Sequence, residues 1–183
     1  MIYPIVLYGH PVLRKKAKEI DPENFEPEPL ISNMFETMYR ANGIGLAAPQ
    51  IGKALRLFII DATPMSTNFP ELENFKKVFI NPEIIESSDS KIPNEEGCLS
   101  IPGIHEEVKR HETLTVRYLD EKLQEKTEEF IGFQAVSIQH EFDHLNGILF
   151  TDKISPLKKR LLRSKLASIS KGKTSTDYKT LTA

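Results

Sequence analysis

Cys98, in Glu96-Gly97-Cys98-Leu99-Ser100, and the pair His140 and His144, in His140-Glu141-Phe142-Asp143-His144, are residue types that hold a divalent metal. Histidines four apart on a helix project from one face and reach one ion, and the glutamate between them lies within reach of a water on that ion. Two imidazoles leave a catalytic site one ligand short. A thiolate completes a Cys/His/His set and leaves the fourth position for water. The chemistry this predicts is metal-assisted hydrolysis with Glu141 as general base. The bland alternative puts both histidines on a solvated helix face and makes Cys98 a small buried apolar residue. Against it stands the scarcity of soft ligands: the chain has one cysteine and five histidines, and three of them share two short segments.

These residues must be positioned by a chain of 183 residues, long enough for one well-buried core and short for two. The expectation is a single domain over residues 1–171, followed by a flexible tail over residues 172–183 that is rich in Lys, Thr and Ser. A formal charge of −2 gives no general attraction to DNA or to anionic membrane. One cysteine forms no intrachain disulfide, and a free thiolate ligand suits a reducing compartment. The segment from Met1 to His10 has no basic region followed by a long apolar run, and no later stretch approaches a membrane span. A cytoplasmic protein is expected.

Leu30, Ile31, Met34, Phe35 and Met38 have amphipathic-helix spacing, with Asn42-Gly43 as the stop. Residues 55–60 fit a buried strand, 78–80 another, and Leu114, Val116 and Tyr118 alternate as in a half-exposed strand. Residues 135–146 form the expected metal helix, closed by Gly147, with Ile138, Phe142 and Leu145 turned to the core. Ser155-Pro156 caps and opens a last helix whose expected inner stripe is Leu157, Leu161, Leu166 and Ile169. The order predicts an α+β fold, antiparallel sheets around a central HExxH helix, with an N-terminal and a C-terminal helix. Residues 61–74 read as a long mobile loop.

Two rival chemistries fit less well. Gly43-Ile44-Gly45-Leu46-Ala47-Ala48 matches G-x-G-x-x-A, with Asp61 where a dinucleotide site places its ribose acid. That fingerprint follows a strand and opens a helix, whereas this segment follows a helix, and Pro49 and Gly52 leave no room for another. A cysteine nucleophile activated by one histidine leaves Glu141 and the second histidine idle.

Gly43-Ile-Gly-Leu-Ala-Ala-Pro-Gln50, Glu96-Gly-Cys-Leu-Ser100 and His140-Glu-Phe-Asp-His-Leu-Asn-Gly147 resemble, in order and content, the three signature motifs of peptide deformylases. The resemblance implies removal of the formyl group from N-terminal formylmethionine of nascent chains, with Fe²⁺ as working ion and Zn²⁺, Ni²⁺ or Co²⁺ as substitutes. A general HExxH zinc peptidase and a non-catalytic metal protein are the alternatives. If the motifs converge, the Gln50 amide and the Leu99 backbone N–H can stabilise charge on the formyl oxygen; taken alone, Gln50 reads as a polar loop residue. Phe133, Val136 and Ser137 lie seven, four and three residues before His140 and share its face if the helix reaches that far. With Ile44 they would wall a methionine pocket, core packing being the competing explanation. Gly45 leaves backbone open to an extended peptide. At His105 the chain departs from family members that carry a larger basic residue. The Lys- and Arg-rich last helix is a ribosome contact by the same resemblance and a solvated charged face by the ordinary reading.

Overall fold

A computed structural model describes residues 1–183. Helix α1 spans Leu30–Arg40 and ends as its sequence requires: Asn42 takes a positive φ, its N–H bonds the Tyr39 carbonyl, and the Gly43 N–H returns to the Met38 carbonyl at 3.0 Å. The chain then enters β2 (Gly45–Ala47), which pairs with β3 (Leu57–Asp61). A five-stranded antiparallel sheet continues through β4 (Lys76–Ser87), β7 (Thr113–Leu119) and β8 (Glu125–Ile131), in the order β2-β3-β4-β7-β8. Strands β5 (Lys91–Cys98) and β6 (Ile101–His111) make a separate hairpin. The last two elements to name among the strands are β1 (Ile5–Val6) and β9 (Thr180–Leu181), which pair in parallel.

The apolar run of β3 has two destinations because side chains alternate across a strand. Phe58 and Ile60 pack with Ala135, Ile138 and Leu145 of helix α2 (Gly132–Leu145), while Leu57 and Ile59 pack with Ile31, Met34 and Met38 of α1. The sheet is thus covered on both faces, and burying a side chain such as Ile138 or Met34 contributes about 1.5 to 3 kcal/mol. A third cluster joins Ile101, Ile104 and Val108 of β6 to Leu149, Phe150 and the last helix, α3 (Pro156–Ser170). Gly147 closes α2 with φ 71°, and a Cβ there would strike the Arg14 backbone.

Three sequence expectations change. Ser155 caps α3 and Pro156 opens it, but the inner stripe is Leu162, Leu166 and Ile169; Leu157 and Leu161 are 66% and 74% exposed. The spacings 162, 166, 169 and 157, 161 both satisfy a helical period, so periodicity could not choose between neighbouring faces. Residues 61–74 contain two short 3₁₀ turns, Thr63–Met65 and Pro70–Leu72, with Leu72 fully buried, so this connection is packed. The tail, expected to fray, carries β9 and lies along the N-terminal segment.

Candidate active site

The hairpin β5-β6 brings Cys98 to the helix that carries the two histidines. Sγ of Cys98 lies 3.4 Å from Nε2 of His144, and the ligand atoms of Cys98, His140 and His144 all fall within 4.8 Å of one another. Burial drives His144 well below its ordinary pKa, which keeps its imidazole in the neutral form that ligates metals. The buried Glu141 points into the same space, and its Oε2 has no hydrogen-bond partner. An unpartnered carboxylate oxygen beside three soft donors fits a metal ion with a water on it. Burial raises the Glu141 carboxyl to about 7, against the opposing pull of His140.

Behind these residues lies a buried charged network. His140 Nδ1 faces Glu96 Oε1 at 2.8 Å, and Glu96 receives two hydrogen bonds from Arg110, at 2.7 and 2.8 Å. Arg110 also donates to Asp143 at 2.6 Å. Burial pushes Glu96 towards protonation, but Arg110 and His140 overcome it and hold the carboxyl down at about 2. Glu96 therefore remains a carboxylate that fixes the His140 ring, leaving its Nε2 able to hold a metal. Asp143, which stands beside a ligand in the motif, acts on Arg110 rather than on a histidine. The signal for Glu96 was its place two residues before Cys98; Arg110 left none, because only strand pairing brings it there.

Gln50 lies in the 3₁₀ turn Ala48–Ile51 that follows β2. Its Oε1 accepts from the Ala47 N–H at 2.9 Å, which turns Nε2 towards Cys98 Sγ at 3.4 Å and Ser100 Oγ at 3.2 Å. Leu99 sits at the hairpin tip between β5 and β6. A cavity of about 550 Å³ opens over these groups, and its lining includes Ile44, Gly45, Gln50, Leu99, Phe133, Val136, Ser137 and His105 along with Cys98, His140 and Glu141. Because α2 starts at Gly132, Phe133 is helical and joins Val136 and Ser137 on the cavity side. Met65, from the connection after β3, also lines the cavity, and Phe69 stacks on Phe133 with ring centroids 5.0 Å apart. Gly45 serves a purpose the sequence did not disclose: a Cβ there would collide with the Glu141 carboxylate. The dinucleotide-like segment forms an edge strand, and Asp61 accepts hydrogen bonds from Tyr39 and Thr63.

Residues 2–160 match the family model described as polypeptide deformylase. The chain belongs to this family. It is 52% identical to a peptide deformylase of Christiangramia forsetii, covering 98% of this chain and 95% of that one, and 49% identical, with the same coverage, to one of Flavobacterium johnsoniae. Among solved structures it is similar to a peptide deformylase from Legionella pneumophila, with 40% identity, TM-score 0.82, and coverage of 93% of this chain and 96% of that chain. The peptide deformylase of Thermus thermophilus gives 38% identity and TM-score 0.83, covering 94% of this chain and all of that one. The fold is thus shared with solved peptide deformylases over more than nine-tenths of this chain.

Proposed function

We infer that this protein is a metal-dependent hydrolase that removes the formyl group from the N terminus of newly made polypeptides, releasing formate and a free amine. Family membership gives the reaction; the observation that carries the site is the buried, unpartnered Glu141 carboxylate beside the Cys98, His140 and His144 cluster. A divalent ion held by those three side chains would polarise the formyl oxygen and lower the pKa of a water towards about 7. Glu141 takes the proton from the attacking water as its oxygen adds to the formyl carbon. The C–N bond then breaks and Glu141 returns the proton to the departing nitrogen, so that one water is consumed and formate leaves. Gln50 Nε2 and the Leu99 N–H receive the charge that gathers on the formyl oxygen, a donor of this kind contributing about 3 to 4 kcal/mol.

The methionine side chain enters between Ile44, Phe133, Val136 and Ser137, and the following residues of the substrate run along Gly45 on the open edge of β2. This assignment is supported by their common cavity. The working ion is Fe²⁺, with Zn²⁺, Ni²⁺ or Co²⁺ able to substitute; ligand type alone does not select it, since the affinity order favours zinc over ferrous iron. No helix is long and apolar enough to cross a membrane, and the proposed site of action is the cytoplasm, a reading supported by action on nascent chains. Ribosome contact through α3 is supported by its exposed Leu157 and Leu161 and by Arg160 and Arg163, which make no ion pair.

The deciding experiment is release of formate from a formyl-Met-Ala-Ser peptide by anaerobically prepared, iron-loaded protein. Formate release without cleavage of internal peptide bonds is expected, as is loss of activity in air that Ni²⁺ or Co²⁺ replacement prevents. Peptide-bond cleavage would indicate a general peptidase, absence of turnover a non-catalytic metal protein, and air-stable activity that tracks zinc a zinc enzyme.

A further inference from the structure

The hairpin tip, Leu99 and Ser100, lies just beyond the closing pair Cys98 and Ile101, so these two residues take no part in the ladder between β5 and β6. The two ends of the chain hold its backbone carbonyls instead. The Tyr178 phenol donates to the Leu99 carbonyl at 2.8 Å, and the Tyr8 N–H donates to the Ser100 carbonyl at 2.8 Å. These two donors belong to segments joined through β1 and β9, with the Ile5 N–H on the Lys179 carbonyl and the Leu7 N–H on the Leu181 carbonyl, each at 2.8 Å. Thr176 braces the turn by donating to the Tyr178 carbonyl at 2.8 Å. On its other side the Leu99 side chain is wedged against Gly43, where a Cβ would stand 2.8 Å from Leu99 Cδ1. Residues 175–178 also line the cavity into which Glu141 and Gln50 project. The tail, beyond the residues matched by the family model, is part of the site wall.

We propose that the paired chain ends form a platform for the hairpin tip and that Tyr178 is a positioning residue, fixing Leu99 so that its N–H meets the formyl oxygen. This rests on the deformylase reading given above. A hydrogen bond to the carbonyl of a residue restrains the rotation of the peptide units on either side of it. Electrostatic stabilisation of a transition state depends on such donors being fixed beforehand. Tyr178→Phe keeps the half-buried ring and removes only the donor, so the variant retains the packing of the tail.

The test uses the full chain, wild type against Tyr178→Phe, both metal-loaded. Amide hydrogen exchange at Leu99 and Ser100 should accelerate about five- to tenfold, the effect of one lost hydrogen bond. On formyl-Met-Ala-Ser, kcat should fall by a similar factor, with KM within twofold and metal content unchanged. The proposal is overturned if kcat stays within twofold of wild type, if exchange at the tip is unchanged, or if activity falls only in step with metal content or folded fraction. If wild type releases no formate, the deformylase reading itself has failed; the amide exchange still reports whether Tyr178 holds the tip.

Discussion

The Glu141 carboxylate occupies the space that a side chain at residue 45 would need, so Gly45 and Glu141 form one fitted pair across the junction of β2 and α2. Gly45→Ala must displace either the carboxylate or the edge strand, and overpacking of this kind costs about 1 to 3 kcal/mol. We expect metal binding to persist and kcat to fall by about 10² as the proposed general base moves off its position. Metal analysis together with steady-state kinetics checks this; a variant with near-normal kcat would show that the pair tolerates a methyl group.

Glu141→Gln and Cys98→Ala should fail in different ways. The first keeps Cys98, His140 and His144, so metal content should be unchanged while the rate drops by about 10² to 10⁴. The second leaves two imidazoles, and metal and activity should disappear together. Stoichiometric metal in Cys98→Ala would remove the thiolate from the ligand set, and turnover within a few-fold of wild type in Glu141→Gln would remove the general base.

Local signals in the sequence pointed to Cys98, His140 and His144 as candidate ligands and to the helix that bears two of them, because a four-residue spacing on a helix encodes direction as well as identity. The stop at Asn42-Gly43 and the start at Ser155-Pro156 were equally local. Arg110 was invisible because its partners, Glu96 and Asp143, lie on another strand and on α2. Tyr178 was invisible for a similar reason: its segment reads as polar tail, and only parallel pairing with β1 carries it to Leu99. The inner face of α3 is not legible in the sequence, because two apolar spacings one residue apart compete. Local patterns thus disclose the candidate site residues, while the groups that hold those residues in place come from long-range pairing.

Arg110 is almost wholly buried between Glu96 and Asp143. Arg110→Met should destabilise the protein by about 3 to 5 kcal/mol, since it leaves a buried carboxylate without its counter-charge. It should also weaken metal binding about 10- to 100-fold through the released His140 ring. Adding Glu96→Gln should recover much of the stability and none of the metal affinity. Urea unfolding and metal titration of the single and double variants decide the matter; a loss below about 1 kcal/mol in Arg110→Met would mean that water replaces the guanidinium.

Asp61 gives a prediction in pH. Burial raises its carboxyl, but Thr63, Tyr39 and Lys76 together bring it below the ordinary aspartate value. A depressed folded pKa contributes stability that is present above the unfolded value of about 3.9 and is lost as pH falls through the folded value. Asp61→Asn should therefore cost about 1.5 to 3 kcal/mol at pH 7, the range for hydrogen bonds to a charged group. The gap from wild type should narrow as pH falls below about 4. Unfolding curves at both ends of this range test it; a gap independent of pH would assign the effect to shape alone.

Leu157 and Leu161 stand one turn apart on the outer face of α3, beside Arg160 and Arg163, and contribute nothing to the core beneath. Lys158 and Lys159 are partly occupied by Glu106 and Asp152, at 2.7 and 3.5 Å. A ribosome contact by this helix would then depend chiefly on the two leucines and the two arginines. Replacing Leu157 and Leu161 by serine should leave thermal stability and turnover of a short formyl peptide near wild type, as expected for exposed side chains. Arg160→Glu with Arg163→Glu should weaken co-sedimentation with ribosomes at low salt much more than at high salt, because phosphate contacts release counterions. The serine variant should weaken it at both. If all four substitutions leave co-sedimentation unchanged, α3 is a solvated face and the enzyme meets nascent chains by diffusion.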